Sequence, residues 1–381
     1  MEQVRIQSAP LRNLCRSRAP LWWGLGTIIL LHSSAVLVYE YGAPGLRDAE
    51  FTGLVLSFRQ HLQARPDASL TAMFLGSSRV CMGCSCIQLE TQLTASLGQP
   101  IFTHNLGRAG AGPVAQHLYL ERLIRSGIRP DWLFVEVLSP LLSETCGAVE
   151  LGKPPGQWIS FRELATLRQY GFPVGSTSIE LARFYLSAAS FQKLPIVRRG
   201  LRKWGPWSPP HGLRNLPADY SGWSPYNLTP TPDVRQRATD HARIDYTPHL
   251  SHFRLGGPNC RALHNLLILC REQRIPVALI LMPEGPEFRS WYTEEGWQSI
   301  QGFLDELSST YSVPIINARD WIDEQDFLDS HHLLRQGAVD FTQRLAQDKL
   351  APLFAGDLHM EPHNTKAVRV ISRTASNELT R

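Results

Sequence analysis

Five short apolar runs decide what this chain can fold into. Residues 70–75 read LTAMFL, 101–106 IFTHNL, 132–138 WLFVEVL, 276–282 PVALILM and 313–318 VPIINA. Each has the length of a strand, and each is apolar at nearly every position. A strand with one wet face alternates; a strand buried on both faces does not, and such strands belong to parallel sheets covered by helices on either side. Helical spacing fills the gaps. Residues 113–126, with Leu118, Leu120, Leu123 and Ile124 apolar, stop at Gly127, and 260–273, 294–311 and 336–354 follow the same rule. The alternation predicts a doubly wound α/β domain with strand order 2-1-3-4-5.

The domain is interrupted between its third and fourth strands, over 146–250. The first half carries a helical stretch at 178–190. The second is rich in proline and aromatics, among them Trp204, Trp207, Pro209, Pro210, Tyr220, Trp223, Pro225 and Tyr226. Compact domains rarely hold a structureless loop of that length, so the segment reads as an inserted cap. It is either a lid whose aromatics stack on sugar faces or a surface excursion without a binding role. The α/β domain is then discontinuous, over 69–145 and 251–355, and the polar, aperiodic residues 356–381 read as a disordered tail. A chain of 381 residues, 43% hydrophobic, has ample material for such a core. With 38 Lys and Arg against 34 Asp and Glu, the net charge of +4 is too small to point to nucleic acid.

Residues 21–39, LWWGLGTIILLHSSAVLVY, contain no Asp, Glu, Lys or Arg. As a helix they would extend about 28 Å, close to a bilayer's hydrocarbon thickness. Arg5, Arg12, Arg16 and Arg18 precede the run, while Glu40 and Asp48 follow. The positive-inside rule then leaves residues 1–20 cytoplasmic and places the main domain in the periplasm or outside the cell. The expectation is a single-pass membrane anchor, followed over 40–68 by an amphipathic juxtamembrane helix. A cleaved signal peptide is the alternative, with 32–35 (HSSA) as a weak cleavage site.

Three segments at strand ends carry chemistry. The first strand ends in Gly76-Ser77-Ser78-Arg79, and the second in Asn105-Leu106-Gly107-Arg108-Ala109-Gly110. After the fifth comes Asp329-Ser330-His331-His332. In a doubly wound sheet, ligands sit outside the carboxyl ends of the strands, beside strand one. A serine on a tight turn there presents its hydroxyl clear of the sheet, but it is a poor nucleophile until an imidazole accepts its proton. The imidazole in turn needs an acceptor on its other nitrogen. Asp329 and His332, three residues apart, fit that pair, with Ser78 as the nucleophile. Ser77 and His331 are the alternative hydroxyl and imidazole. The Ser78 and Gly110 backbone N–H groups are placed to donate to an oxyanion. Asn105 is either a further donor or a turn-former, and Arg79 either a substrate ligand or a surface arginine.

This arrangement resembles the SGNH (GDSL-type) hydrolase superfamily, whose nucleophile follows strand one, whose glycine follows strand two and whose Asp-x-x-His comes last. Gly76-Ser77-Ser78 stands where that superfamily has Gly-Asp-Ser, and Gly110 matches its second-block glycine. The phrase DSHHLLRQGAVDFTQRLA is similar to the closing motif of the branch that acylates cell-envelope polymers, which includes the alginate acetylation and lipoteichoic-acid D-alanylation proteins. The resemblance covers roughly 70–145 and 255–355. It implies a flavodoxin-like sheet, no cofactor, an exported polysaccharide or glycolipid as substrate, and a polytopic membrane O-acyltransferase as partner. The sequence departs from the superfamily at the third block, Gly-x-Asn-Asp, where Val137-Leu138-Ser139-Pro140 stands instead. The expected function is therefore a membrane-anchored acyl esterase or O-acyltransferase; a non-catalytic carbohydrate-binding or scaffolding domain of the same fold is the alternative.

Other motifs point nowhere comparable. Cys81, Cys84 and Cys86 lack the second pair of ligands that a zinc site needs, and read as small apolar packing residues, with a Cys81–Cys84 disulfide open. No Walker loop or dinucleotide fingerprint is present.

Overall fold

The computed structural model describes residues 18–37, 40, 48–146, 159–172 and 219–359. Five strands, β1 (Leu70–Leu75), β2 (Ile101–Asn105), β3 (Trp132–Glu136), β4 (Val277–Leu281) and β5 (Ile315–Asn317), form one sheet. Every pairing is parallel and the order is β2-β1-β3-β4-β5, as the apolar runs predicted.

Alternate residues of each strand enter two separate cores. Met73 and Leu75 of β1, Leu133 and Val135 of β3, and Leu279 and Leu281 of β4 face one side. Ala72 and Phe74, Trp132 and Phe134, and Ala278 and Ile280 face the other. The near-continuous apolar character of the runs follows from this: neither pleat meets water.

The helices divide between the faces. After α1 (Ala19–Leu37), the first face carries α2 (Ala49–Ala64), then α5 (Pro113–Arg125), α8 (Pro258–Gln273) and α9 (Glu294–Tyr311). On the second lie α3 (Ser78–Gly83), α4 (Cys86–Leu97) and α10 (Arg335–Leu345). The closing helix expected over 336–354 is present as one uninterrupted run, α10, a π turn over Ala346–Leu350 and α11 (Ala351–His359).

The apolar run forms α1 (Ala19–Leu37), with Leu21, Trp22, Trp23, Ile28, Ile29 and Leu30 all exposed. Among the described residues, however, no helix is long and apolar enough to cross a membrane. Of the single-pass span expected over 21–39, residues 38 and 39 lie outside the described residues. Within the amphipathic helix expected over 40–68 lies α2. Asp48 caps α2 by accepting from the Phe51 N–H, and Phe51, Val55 and Phe58 are buried in the first core.

Of the inserted region, residues 159–172 and 219–250 are described. Ile159, Leu167, Tyr170 and Phe172 bury against Val114 and Leu118 of α5. The helix at 178–190, the aromatics from Trp204 to Trp207 and the tail beyond 359 lie outside the described residues.

Candidate active site

The carboxyl ends of β1, β3, β4 and β5 converge on one edge of the sheet, and the residues singled out by type meet there. Ser78 is the first residue of α3, and Ser77 caps that short helix, its hydroxyl accepting from the Arg79 N–H at 3.2 Å. Ser78 Oγ lies 2.7 Å from His332 Nε2. His332 Nδ1 lies 2.7 Å from Asp329 Oδ2. With the carboxylate accepting, Nδ1 carries the proton and Nε2 is free to accept from the serine.

A closed loop makes this possible. Phe327 and Leu333, both buried, pair as an antiparallel bridge. Between them the Leu328 N–H donates to His332 O at 2.9 Å. Ser330 turns the chain at φ 63°, in the left-handed region. Its hydroxyl donates to Glu324 Oε2 at 3.0 Å and accepts from the Phe288 N–H at 2.9 Å. Strain of this kind persists where the surroundings enforce it. Here it turns Asp329 back toward the imidazole three residues on.

Ser78 and His332 are half-buried, whereas Asp329 and His331 are buried. Burial alone would push Asp329 up, but the two histidines and the hydrogen bonds from His332 outweigh it and hold the carboxyl well below the usual range. His331 is a different case. Burial pushes its ring down to about 3, with His332 adding to the effect, so it is neutral at any physiological pH. Its ring stacks on Phe288 at 5.1 Å and meets the edge of Tyr246 at 5.2 Å. His331 therefore packs beside the site, and His332 is the imidazole that reaches Ser78. The donor atoms of Asp329, His331 and His332 lie within 4.8 Å of one another. A metal ion there would have to displace the Asp329–His332 hydrogen bond.

Among the described residues, neither the Ser78 nor the Gly110 backbone N–H donates to a protein acceptor. Gly110 is exposed, has φ 76° and leaves open space where a side chain would stand.

Two sequence-predicted residues do other work. Asn105 was a candidate oxyanion donor, but its Nδ2 donates to Val80 O and Cys84 O, each at 2.8 Å, and its Oδ1 accepts the Gly107 N–H at 2.8 Å. The amide is fully occupied in tying α3 to the second strand end, so the turn-forming alternative is the correct one. Arg79, a candidate substrate ligand, is 3% exposed. Its Nη2 donates to Met282 O at 2.9 Å and Pro283 O at 2.8 Å, and Nη1 lies 3.5 Å from Glu284 Oε1. It fastens the Ser77–Ser78 turn to the end of β4 and is buried from solvent.

Other residues at this edge lay outside the sequence argument. Glu136, a lone charge in an apolar strand, is buried with Oε2 accepting the Ser77 N–H at 2.6 Å. Its position inside WLFVEVL was the available signal. The inserted region also contributes. Trp223 Nε1 donates to Met82 O at 2.8 Å, the Ser224 N–H donates to Cys81 O, and Tyr226 bridges Leu334 with its ring edge-on to His332 at 6.2 Å. Helix α7 (Pro232–Leu250) follows and brings Tyr246 against His331. Cys81, Cys84 and Cys86 are free thiols, so the Cys81–Cys84 disulfide is not formed.

Comparisons with known proteins add little to this geometry. A family model that bears no description matches residues 251–351, less than half of the chain. No curated protein matches it. Among solved structures, the chain is similar to a lipase from a goat rumen metagenome at 13% identity. That match covers 73% of this chain and 97% of the lipase, with a TM-score of 0.32. A likeness that slight carries no argument about activity.

Proposed function

We propose that this protein is a serine esterase or O-acyltransferase of the SGNH-like kind, working through an acyl-serine. One observation carries the reading: a half-buried serine hydroxyl 2.7 Å from an imidazole nitrogen whose partner nitrogen is 2.7 Å from a buried carboxylate. Ser78 Oγ would attack the carbonyl carbon of an acyl donor while its proton passes to His332 Nε2. Asp329, ionised and fixed, would offset the charge on the imidazolium. The Ser78 and Gly110 N–H groups would receive the oxyanion. His332 would then return the proton to the departing oxygen, leaving Ser78 acylated. Water or a sugar hydroxyl, deprotonated by the same nitrogen, would release the acyl group.

The substrate class and partner rest on the sequence resemblance. We take the acceptor to be an exported polysaccharide or glycolipid, and a polytopic membrane O-acyltransferase to be the partner that supplies acyl groups. The exposed apolar surface of α1 supports contact with a lipid surface, with the α/β domain outside the cytoplasm. Carbonate extraction and protease shaving of intact cells test that location.

The deciding experiment is fluorophosphonate labelling of the full chain with peptide mapping, beside Ser78→Ala and His332→Ala. A single adduct on Ser78, absent from both variants, is expected. No adduct on folded protein would instead favour the non-catalytic carbohydrate-binding or scaffolding reading, to which the absent third block and the occupied Asn105 amide already lend weight.

A further inference from the structure

The third sequence block of the superfamily is absent, yet the end of the third strand is not empty. We propose that Glu136 is a positioning residue for the nucleophile, holding the Gly76–Ser77 peptide by a hydrogen bond so that the Ser78 side chain points at His332. The inference rests on the Ser78 reading above and goes beyond it in assigning what sets the serine's direction.

Glu136 is the last residue of β3 and has no solvent exposure. Its Oε2 accepts the Ser77 N–H at 2.6 Å, a short bond of the charge-assisted kind. The space for that carboxylate exists because residue 76 is glycine: a Cβ there would come within 2.6 Å of Oε2. The other carboxylate oxygen, Oε1, accepts no hydrogen bond and is held by charge alone. Arg79 Nε stands 3.7 Å from Oε1, and Arg79 is fixed by the carbonyls of Met282 and Pro283 and by Glu284. Glu284 binds Arg319 at 2.6 Å and accepts from the Tyr292 hydroxyl at 3.0 Å. From the other side, Gln116 Nε2 donates to the Glu136 carbonyl at 3.2 Å.

A buried chain of alternating charge thus ties the turn after β1 to the ends of β3, β4 and β5. Burying a carboxylate is costly unless it is paired and hydrogen-bonded, so this one would be an expensive way merely to fill volume. Burial does raise the Glu136 carboxyl from its ordinary value, with Arg79 and the Ser77 N–H opposing. What the bond does mechanically is fix one peptide plane. Fixing the Ser77 N–H fixes the entry into α3, whose first residue, Ser78, reaches the imidazole at 2.7 Å.

The test separates the hydrogen bond from the charge. Glu136→Gln keeps an oxygen at the same reach and loses the charge; Glu136→Asp keeps the charge and withdraws it by one methylene. Fluorophosphonate labelling of the full chain would be followed to saturation, and folding checked by circular dichroism. The Gln variant is expected to keep the maximal labelling rate within about threefold. The Asp variant is expected to lose about 100-fold, the scale of an ångström's misplacement, with the half-saturating concentration unchanged. An Asp variant as fast as wild type overturns the proposal, and so does a Gln variant as slow as Asp. Wild type that fails to label at Ser78 removes the underlying reading, a different and distinguishable failure.

Discussion

Asp329 holds His332 with both carboxylate oxygens, Oδ2 on the ring Nδ1 and Oδ1 on the backbone N–H, each at 2.7 Å. One side chain therefore fixes the residue's backbone and its imidazole together, which leaves Nε2 little freedom except toward Ser78. Asp329→Asn would present an N–H or a weaker acceptor to Nδ1 and favour the wrong tautomer. We expect the maximal phosphonate labelling rate at Ser78 to fall about 10³–10⁴-fold, as in other triads, while circular dichroism stays native. A fall below tenfold would mean that the carboxylate does not orient the base.

The two glycines after β2 should respond differently to alanine. A Cβ on Gly107 would stand 2.4 Å from the Cys81 backbone nitrogen, a clash neither partner can relieve without moving α3. At Gly110 the space is open and the cost is only that of φ 76°, roughly 1–2 kcal/mol. Urea denaturation should show Gly110→Ala folded and modestly weakened, and Gly107→Ala weakened by more or unfolded.

Truncation tests the role of α2. Phe51, Val55 and Phe58 are each under a tenth exposed and complete the first core. Burial of three such side chains contributes roughly 5–9 kcal/mol, comparable to a whole domain's stability. A chain beginning at residue 44 is expected to fold, and one beginning at residue 69 to be degraded in limited proteolysis. Equal protease resistance would show that α2 is a spacer after all.

Acid should destabilise the protein through its buried neutral histidines, and His117 offers the cleanest measurement. Burial lowers its ring to about 4, and its Nδ1 accepts from the Tyr170 hydroxyl at 2.8 Å. Because the folded-state value is depressed, the unfolded chain takes up the proton first. The stabilisation is complete above the unfolded value of about 6.5 and lost as pH falls toward 4. Between pH 7 and 5, wild type should lose about 2 kcal/mol more than His117→Gln in denaturant titrations. Parallel slopes would contradict the assignment.

The six described cysteines are free, and burial pushes Cys81 and Cys270 up to about 12 and Cys260 up to about 11. At pH 8 these six should resist iodoacetamide for hours in the folded protein and take it up at once in denaturant, with peptide mapping separating them from Cys15. Rapid alkylation of Cys81 in the native chain would show that α3, which carries it, opens readily.

Much of this molecule was legible in one dimension. The strands and their parallel order follow from runs such as LTAMFL and PVALILM, because burial on both faces is a property of consecutive residues and leaves its mark locally. Ser78, His332 and Asp329 could be named because a strand-end turn and an Asp-x-x-His spacing are local too. The choice between His331 and His332 turned on Asp329, whose Oδ2 lies 2.7 Å from His332 Nδ1. The hydrogen-bond partners of Asn105, Arg79 and Glu136 had no such signature. Asn105 is committed to Val80 and Cys84, 25 and 21 residues away, and Arg79 to carbonyls more than 200 residues on. Glu136 meets a peptide 59 residues earlier. Pattern and propensity act through neighbours in sequence and so determine the elements and the residue types at their ends. Which buried charge faces which backbone group is decided only when the strands assemble, because desolvation and hydrogen-bond geometry depend on groups the chain brings together from far apart.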